Sequence, residues 1–139
     1  MLIHFPIALW PAHFGLHVLA GWLPSGVSAV AGFWLLAAGT AVGWIAATCG
    51  AIDLLALARE PDAARLRTGF IHAAVNGTVL LGFTVLAALE ASSYPAIQHG
   101  AGFLAGEGTL LAAMFAGNYF GGALVWRDSS ALRFEEPRR

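Results

Sequence analysis

Five histidines and one deeply set glutamate stand out in a chain otherwise poor in ionisable groups: His4, His13, His17, His72, His99 and Glu107. Inside lipid such side chains are costly and are usually kept to bind, relay or pair. His4 opens the stretch His4-Phe-Pro-Ile-Ala-Leu9, and His72 opens His72-Ala-Ala-Val-Asn76; each lies near the start of a long apolar segment. Three chemistries suit them. Haem b wants one imidazole from each of two helices at matched depth, with apolar walls and small residues beside the macrocycle. His4 with His72 meets the depth condition, with Phe5, Phe70, Gly69 and Gly77 as walls and Asn76 on the same helix face as His72. His17 with His99 would form a second pair near the opposite membrane face. A non-haem metal site would add Asp53 to His4 and His72, although no HExxH, ExxH or paired-cysteine spacing accompanies them. A proton or quinone path would use the same His and Glu side chains.

A purely structural reading competes with all three. A histidine at a helix start can cap it or sit among headgroups, and Asn76 and Asn118 can bond a neighbouring helix. For His13 and His99 that reading leads. Glu107 resists it, because a carboxylate so deep must pair, bind something or be protonated. No nucleophile–base set is visible, so a stand-alone enzyme is not expected.

Composition says what surrounds these residues. The chain has 139 residues, of which 58% are hydrophobic and 11% charged, with a mean hydropathy of +0.72. Soluble domains carry about a quarter charged residues. The 17 glycines and the absence of lysine suit closely packed membrane helices. A net charge of -1 and no basic patch exclude nucleic acid as a partner. Cys49 is alone, so no internal disulfide forms.

Four apolar stretches, about 3–23, 28–57, 68–91 and 99–126, each reach the ~20 residues a helix needs to cross a ~30 Å hydrocarbon core. Pro24-Ser-Gly26, Arg59-Glu-Pro-Asp62 and Ser92-Ser-Tyr-Pro95 separate them. Pro6 sits harmlessly in a first turn, whereas Pro11 should kink the first helix. The opening segment is expected to stay as a mature helix, since the first arginine is Arg59 and a cleaved leader would carry positive charge ahead of its apolar run. All seven arginines lie between the second and third stretches or after residue 126, which puts those parts and both termini on the cytoplasmic side. Residues 1–126 thus read as one transmembrane domain and 127–139 as a polar cytoplasmic tail. At ~1.5 Å rise per residue, His4, His72, Asn76, Asp53 and Asn118 fall in the cytoplasmic half, and His13, His17, His99 and Glu107 in the outer half. Helical angles turn His13 and His17 to roughly the opposite face of their helix from His4.

The stretches His4-Phe-Pro-Ile-Ala-Leu9, His72-x-x-x-Asn76 and Gly121-Gly122-Ala-Leu-Val125, the last followed by Arg127, resemble a family of small bacterial four-helix membrane proteins of unknown function. The resemblance covers almost the whole chain. That family looks related to two-haem membrane cytochromes b. The resemblance therefore implies haem iron between helices, with His4 and His72 as its ligands and His17 and His99 as further candidates. The chain lacks the His-Pro that commonly precedes the His-Phe-Pro, and reads Trp126-Arg-Asp-Ser where the family's tail often reads Tyr-Arg-His-Gly.

The expectation is an all-α, four-helix, up-down transmembrane bundle of the bacterial inner membrane, with lipid around it and both termini cytoplasmic. Its expected role is that of an electron-transfer subunit. Haem b held by His4 and His72 would pass electrons to or from quinone or a partner redox protein, within a larger redox or energy-transducing membrane complex. The alternative is a cofactor-free accessory subunit packing its glycine faces and tryptophans against such a complex.

Overall fold

Alanine- and leucine-rich runs with few internal prolines favour helix, and Pro, Gly and Asp mark where it stops. The computed structural model describes residues 3–20, 22, 25–94 and 100–131. It holds four helices, α1 (His4–Val18), α2 (Ser25–Leu57), α3 (Ala63–Ser93) and α4 (Ala101–Ala131), and no strand among the described residues. The break at Arg59-Glu-Pro-Asp62 forms as expected. Asp62 caps α3, its Oδ1 accepting from the Arg65 backbone N–H at 2.9 Å. The cap starts the helix early enough to take in Arg65 and Arg67, which the sequence pattern leaves in the loop.

Two further boundaries differ from expectation. Helix α1 has 15 residues and ends at Val18 rather than near residue 23, its last turn closed by Leu19 N–H on the Gly15 carbonyl at 3.0 Å. At ~1.5 Å per residue that is a little over 20 Å, short of a full crossing. The helix nevertheless runs through Pro11. At the other end of the chain, the α4 backbone stays helical through residues 127–131, where a tail was expected. His99 and residues 132–139 lie outside the described residues.

Each helix packs on its sequence neighbours and α1 also packs on α4, so α1 and α3 lie on a diagonal. Partner numbers rise on one helix as they fall on the next, as between antiparallel neighbours. Gly32 meets His17 and Gly39 meets Trp10, while Gly69 meets Leu57 and Gly43 meets Leu80. The core is Trp10, Leu36, Val79, Leu80, Phe83, Leu111 and Met114. Trp10 reaches across the diagonal to stack on Phe83, with centroids 4.1 Å apart and planes 12° from parallel. It fits because Gly39 leaves room: a Cβ there would come 2.9 Å from the indole.

The outside is apolar. Trp34, Trp44, Ile52, Leu55, Phe70, Leu81, Val85, Phe115 and Tyr119 are all exposed. So large an apolar surface calls for a non-aqueous neighbour. Residues 26–57 and 63–93 are long and apolar enough to cross a membrane. The hydroxyls of Thr48, Thr68, Thr78, Thr84 and Thr109 each donate to the carbonyl four residues back, which spares them a partner outside the helix.

Candidate metal centre

On α1, Trp10, His13 and His17 turn to one face, the face that meets the other helices. His13 and His17 are one turn apart and buried, with ring centroids 3.8 Å from each other. Glu90, near the end of α3, and Glu107, in the second turn of α4, reach the same place, and both are buried. Gly32 of α2 closes the fourth side with backbone alone. All four helices thus contribute to one polar cluster above the Trp10–Phe83 stack.

The hydrogen bonds decide which atoms face inward. His13 Nδ1 lies 3.0 Å from the Gly32 carbonyl. A carbonyl only accepts, so Nδ1 carries the proton and the neutral ring presents a bare Nε2. That Nε2 is 3.0 Å from Glu107 Oε1 and 3.3 Å from Glu90 Oε1. His17 repeats the pattern, with Nδ1 3.3 Å from Glu107 Oε2 and Nε2 3.6 Å from Glu90 Oε1. Both His17 nitrogens thus face a carboxylate, and either of them can carry the proton.

Neither His13 Nε2 nor Glu107 Oε1 makes a hydrogen bond of acceptable geometry, although both are buried. Two carboxylates and the His13 lone pair therefore converge beside the His17 ring in a dry interior, without a proton aligned between His13 and Glu107. Buried acceptors in that arrangement repel each other unless positive charge joins them.

A metal ion fits that description. Ligand atoms ~2.0–2.1 Å from a tetrahedral ion lie roughly 3.3–3.4 Å from one another. Three of the Nε2–carboxylate separations here are 3.0, 3.3 and 3.6 Å. One ligand atom each from His13, His17 and Glu90 lies within 4.8 Å of the others. Nδ1 of each ring is held by a carbonyl or carboxylate, as is usual for histidines that ligate through the other nitrogen. Two carboxylates balance a divalent charge, and mixed N and O donors suit Zn²⁺, Fe²⁺ or Mn²⁺ better than a soft ion.

Of the residues expected to hold a cofactor, His4, His72 and Asn76 lie elsewhere. His4 is exposed, on the side of α1 turned away from Trp10, His13 and His17. His72 is half-buried, its Nδ1 donating to the Gly117 carbonyl of α4 at 2.9 Å and its ring laid against Gly121. Asn76 sits beside it and donates to the His72 carbonyl at 3.0 Å. The described contacts of His72 thus lie on α3 and α4, and haem ligation by His4 with His72 draws no support from this packing. Asp53 is exposed and Asn118 half-buried. His17, expected opposite His99, instead joins His13 on its own helix, and His99 is not among the described residues.

Glu107 does find buried partners, as its depth requires. Glu90 was not singled out by sequence reasoning, because it closes an apolar stretch beside Ser92-Ser-Tyr-Pro95 and reads as an interface glutamate. Counting back from the loop would have found it. Glu90 lies three residues before the end of α3 and Glu107 six after the start of α4, so the two share a level.

The family model described as "Predicted membrane protein (DUF2231)" matches residues 1–132. The chain belongs to this family. No curated protein and no solved structure matches it. The DUF2231 description names a membrane protein and no cofactor. Membership makes the apolar exterior of this DUF2231 chain a lipid-facing surface. The His–Glu cluster is then a polar centre enclosed within a membrane bundle.

Proposed function

We propose that this chain binds a divalent transition-metal ion inside its bundle. His13 Nε2, His17 Nε2 and Glu90 supply the ligands, and Glu107 orients His17 while offering a fourth oxygen. The observation that carries this reading is the convergence of His13 Nε2 and His17 Nε2 on carboxylate oxygens at 3.0–3.6 Å, with each Nδ1 against a carbonyl or carboxylate oxygen. A site of that composition gives the ion a neutral, water-poor setting in which its ligands, once placed, need little rearrangement. The arginines clustered at Arg59, Arg65 and Arg67 support a far end that faces the cytoplasm of a bacterial inner membrane, which would put the centre in the outer half.

The test is elemental analysis of the protein purified in mild detergent. About one zinc, iron or manganese per chain, lost in the His13→Ala/His17→Ala double variant and retained in His72→Ala, is the expected result. A metal-free protein that also fails to take up added Zn²⁺ would overturn the reading in favour of an accessory subunit. A Soret band lost in His72→Ala would overturn it in favour of haem electron transfer.

A further inference from the structure

We infer that Gly32 is the positioning residue of this centre, setting both the tautomer of His13 and the space in front of His17. The inference rests on the metal-binding reading and goes beyond it, because Gly32 offers no ligand atom of its own.

Two independent observations converge on this glycine. Its carbonyl accepts from His13 Nδ1 at 3.0 Å and so leaves Nε2 free to face Glu90 and Glu107. Its missing side chain leaves a gap that a Cβ would fill 3.1 Å from His17 Nε2 and 3.5 Å from His13 Nδ1. The first of these distances is tighter than ordinary van der Waals contact, and it is measured to a ligating atom. Neither ring can easily yield: His13 is tied to the α2 backbone, and His17 to Glu107 at 3.3 Å. A methyl group at position 32 therefore pushes His17 Nε2 off its line to Glu90.

Gly117 and Gly121 together make comparable contacts with His72, but Gly32 alone meets two histidines that face buried carboxylates among the described residues. Gly43 and Gly82 would press a Cβ on leucine side chains, and Gly106 has nothing within 4 Å. Alanine is the better helix former, so Gly32→Ala costs the isolated helix nothing. Its effect should appear chiefly in the metal.

The experiment uses the full-length protein in detergent with Co²⁺ as the probe, because its visible bands report ligand geometry. Gly32→Ala is expected to lower Co²⁺ affinity by about tenfold or more, the usual effect of disturbing a ligand's support, and to shift the visible spectrum. The metal-free variant should keep its helix content. Gly106→Ala, the control, should bind Co²⁺ as the parent does. Unchanged affinity and spectrum in Gly32→Ala, with the parent binding normally, would overturn the role of Gly32 and leave metal binding standing. A parent that binds no Co²⁺ would overturn metal binding itself. Should Gly32→Ala not fold, ¹⁵N shifts of the parent's imidazoles decide the point: a proton on His13 Nδ1 supports the inference, and one on Nε2 alone overturns it.

Discussion

At the scale of single residues, the two carboxylates separate a metal site from a structural polar cluster. If Glu90 and Glu107 served only to pair with His13 and His17, neutralising them would strip a buried network of its partners and destabilise the protein. If they are held apart for an ion, the metal-free protein already suffers from their mutual repulsion. Replacing buried charges by neutral groups of similar shape is often neutral or stabilising. The Glu90→Gln/Glu107→Gln variant should therefore lose metal and, compared metal-free against metal-free, melt at the same or a higher temperature. A clear drop in melting temperature of the metal-free variant would favour the structural role. Acid gives a second measure, because imidazole ligands must give up protons to bind a metal. Affinity should weaken as pH falls through the range where imidazoles protonate, by about tenfold per pH unit for each proton displaced. Titration with a chromophoric chelator at several pH values reads this directly, and a pH-independent affinity would exclude His13 and His17 as ligands.

The ingredients of this centre were partly legible in the sequence. His13 and His17 stand four apart, on the face opposite His4, and Glu107 is too deep to ignore. Their meeting with Glu90 was not legible, because it depends on how far α1, α3 and α4 are rotated about their own axes. Apolar sequence on every side leaves that rotation unmarked. The histidines that head long apolar runs, His4 and His72, drew attention by position. The structure gives the inward face of α1 to the histidines in its middle and at its end.

At the scale of helices, small residues fix how closely neighbours approach. Gly82 of α3 admits Leu110 of α4 so tightly that a Cβ would lie 2.6 Å from its Cδ2. Gly82→Ala must displace that leucine, and overpacking of this kind costs about 1–3 kcal/mol. Gly106→Ala, on an open face of α4, should be neutral or mildly stabilising. Thermal unfolding followed by circular dichroism compares the two, and equal effects would mean that α3 and α4 do not pack as described. The Trp10–Phe83 stack makes a similar demand across the diagonal. Phe83→Ala should cost about 3–5 kcal/mol, far more than Phe115→Ala on the exposed surface. Helix number and the Arg59–Asp62 break were readable because Pro and a capping Asp act locally. The early end of α1 was not, since Leu19 and Ala20 are as apolar as what precedes them.

At the scale of the whole molecule, the centre sits close to one end of the bundle. His17 is one residue from the end of α1, Glu90 three from the end of α3, and Glu107 six from the start of α4. The arginines of the α2–α3 connection mark the other end. If that end is cytoplasmic, an ion held by this centre would lie within about two helical turns of the outer surface and should exchange with that side. Sealed vesicles of opposite orientation test this. EDTA added outside right-side-out vesicles should strip the metal, whereas EDTA added outside inverted ones should leave it in place. A cysteine label read in parallel separates sidedness from access. In a Cys49→Ser background, Arg67→Cys should react with an impermeant maleimide only in inverted vesicles. Trp22→Cys, at a position 88% exposed, should react only in right-side-out ones. If the labels report this orientation while EDTA strips the metal from the Arg67 side, the ion is not held by His13, His17 and Glu90. Reversed labels together with reversed stripping would instead keep the centre where it is and overturn the assignment of the arginine-bearing end to the cytoplasm.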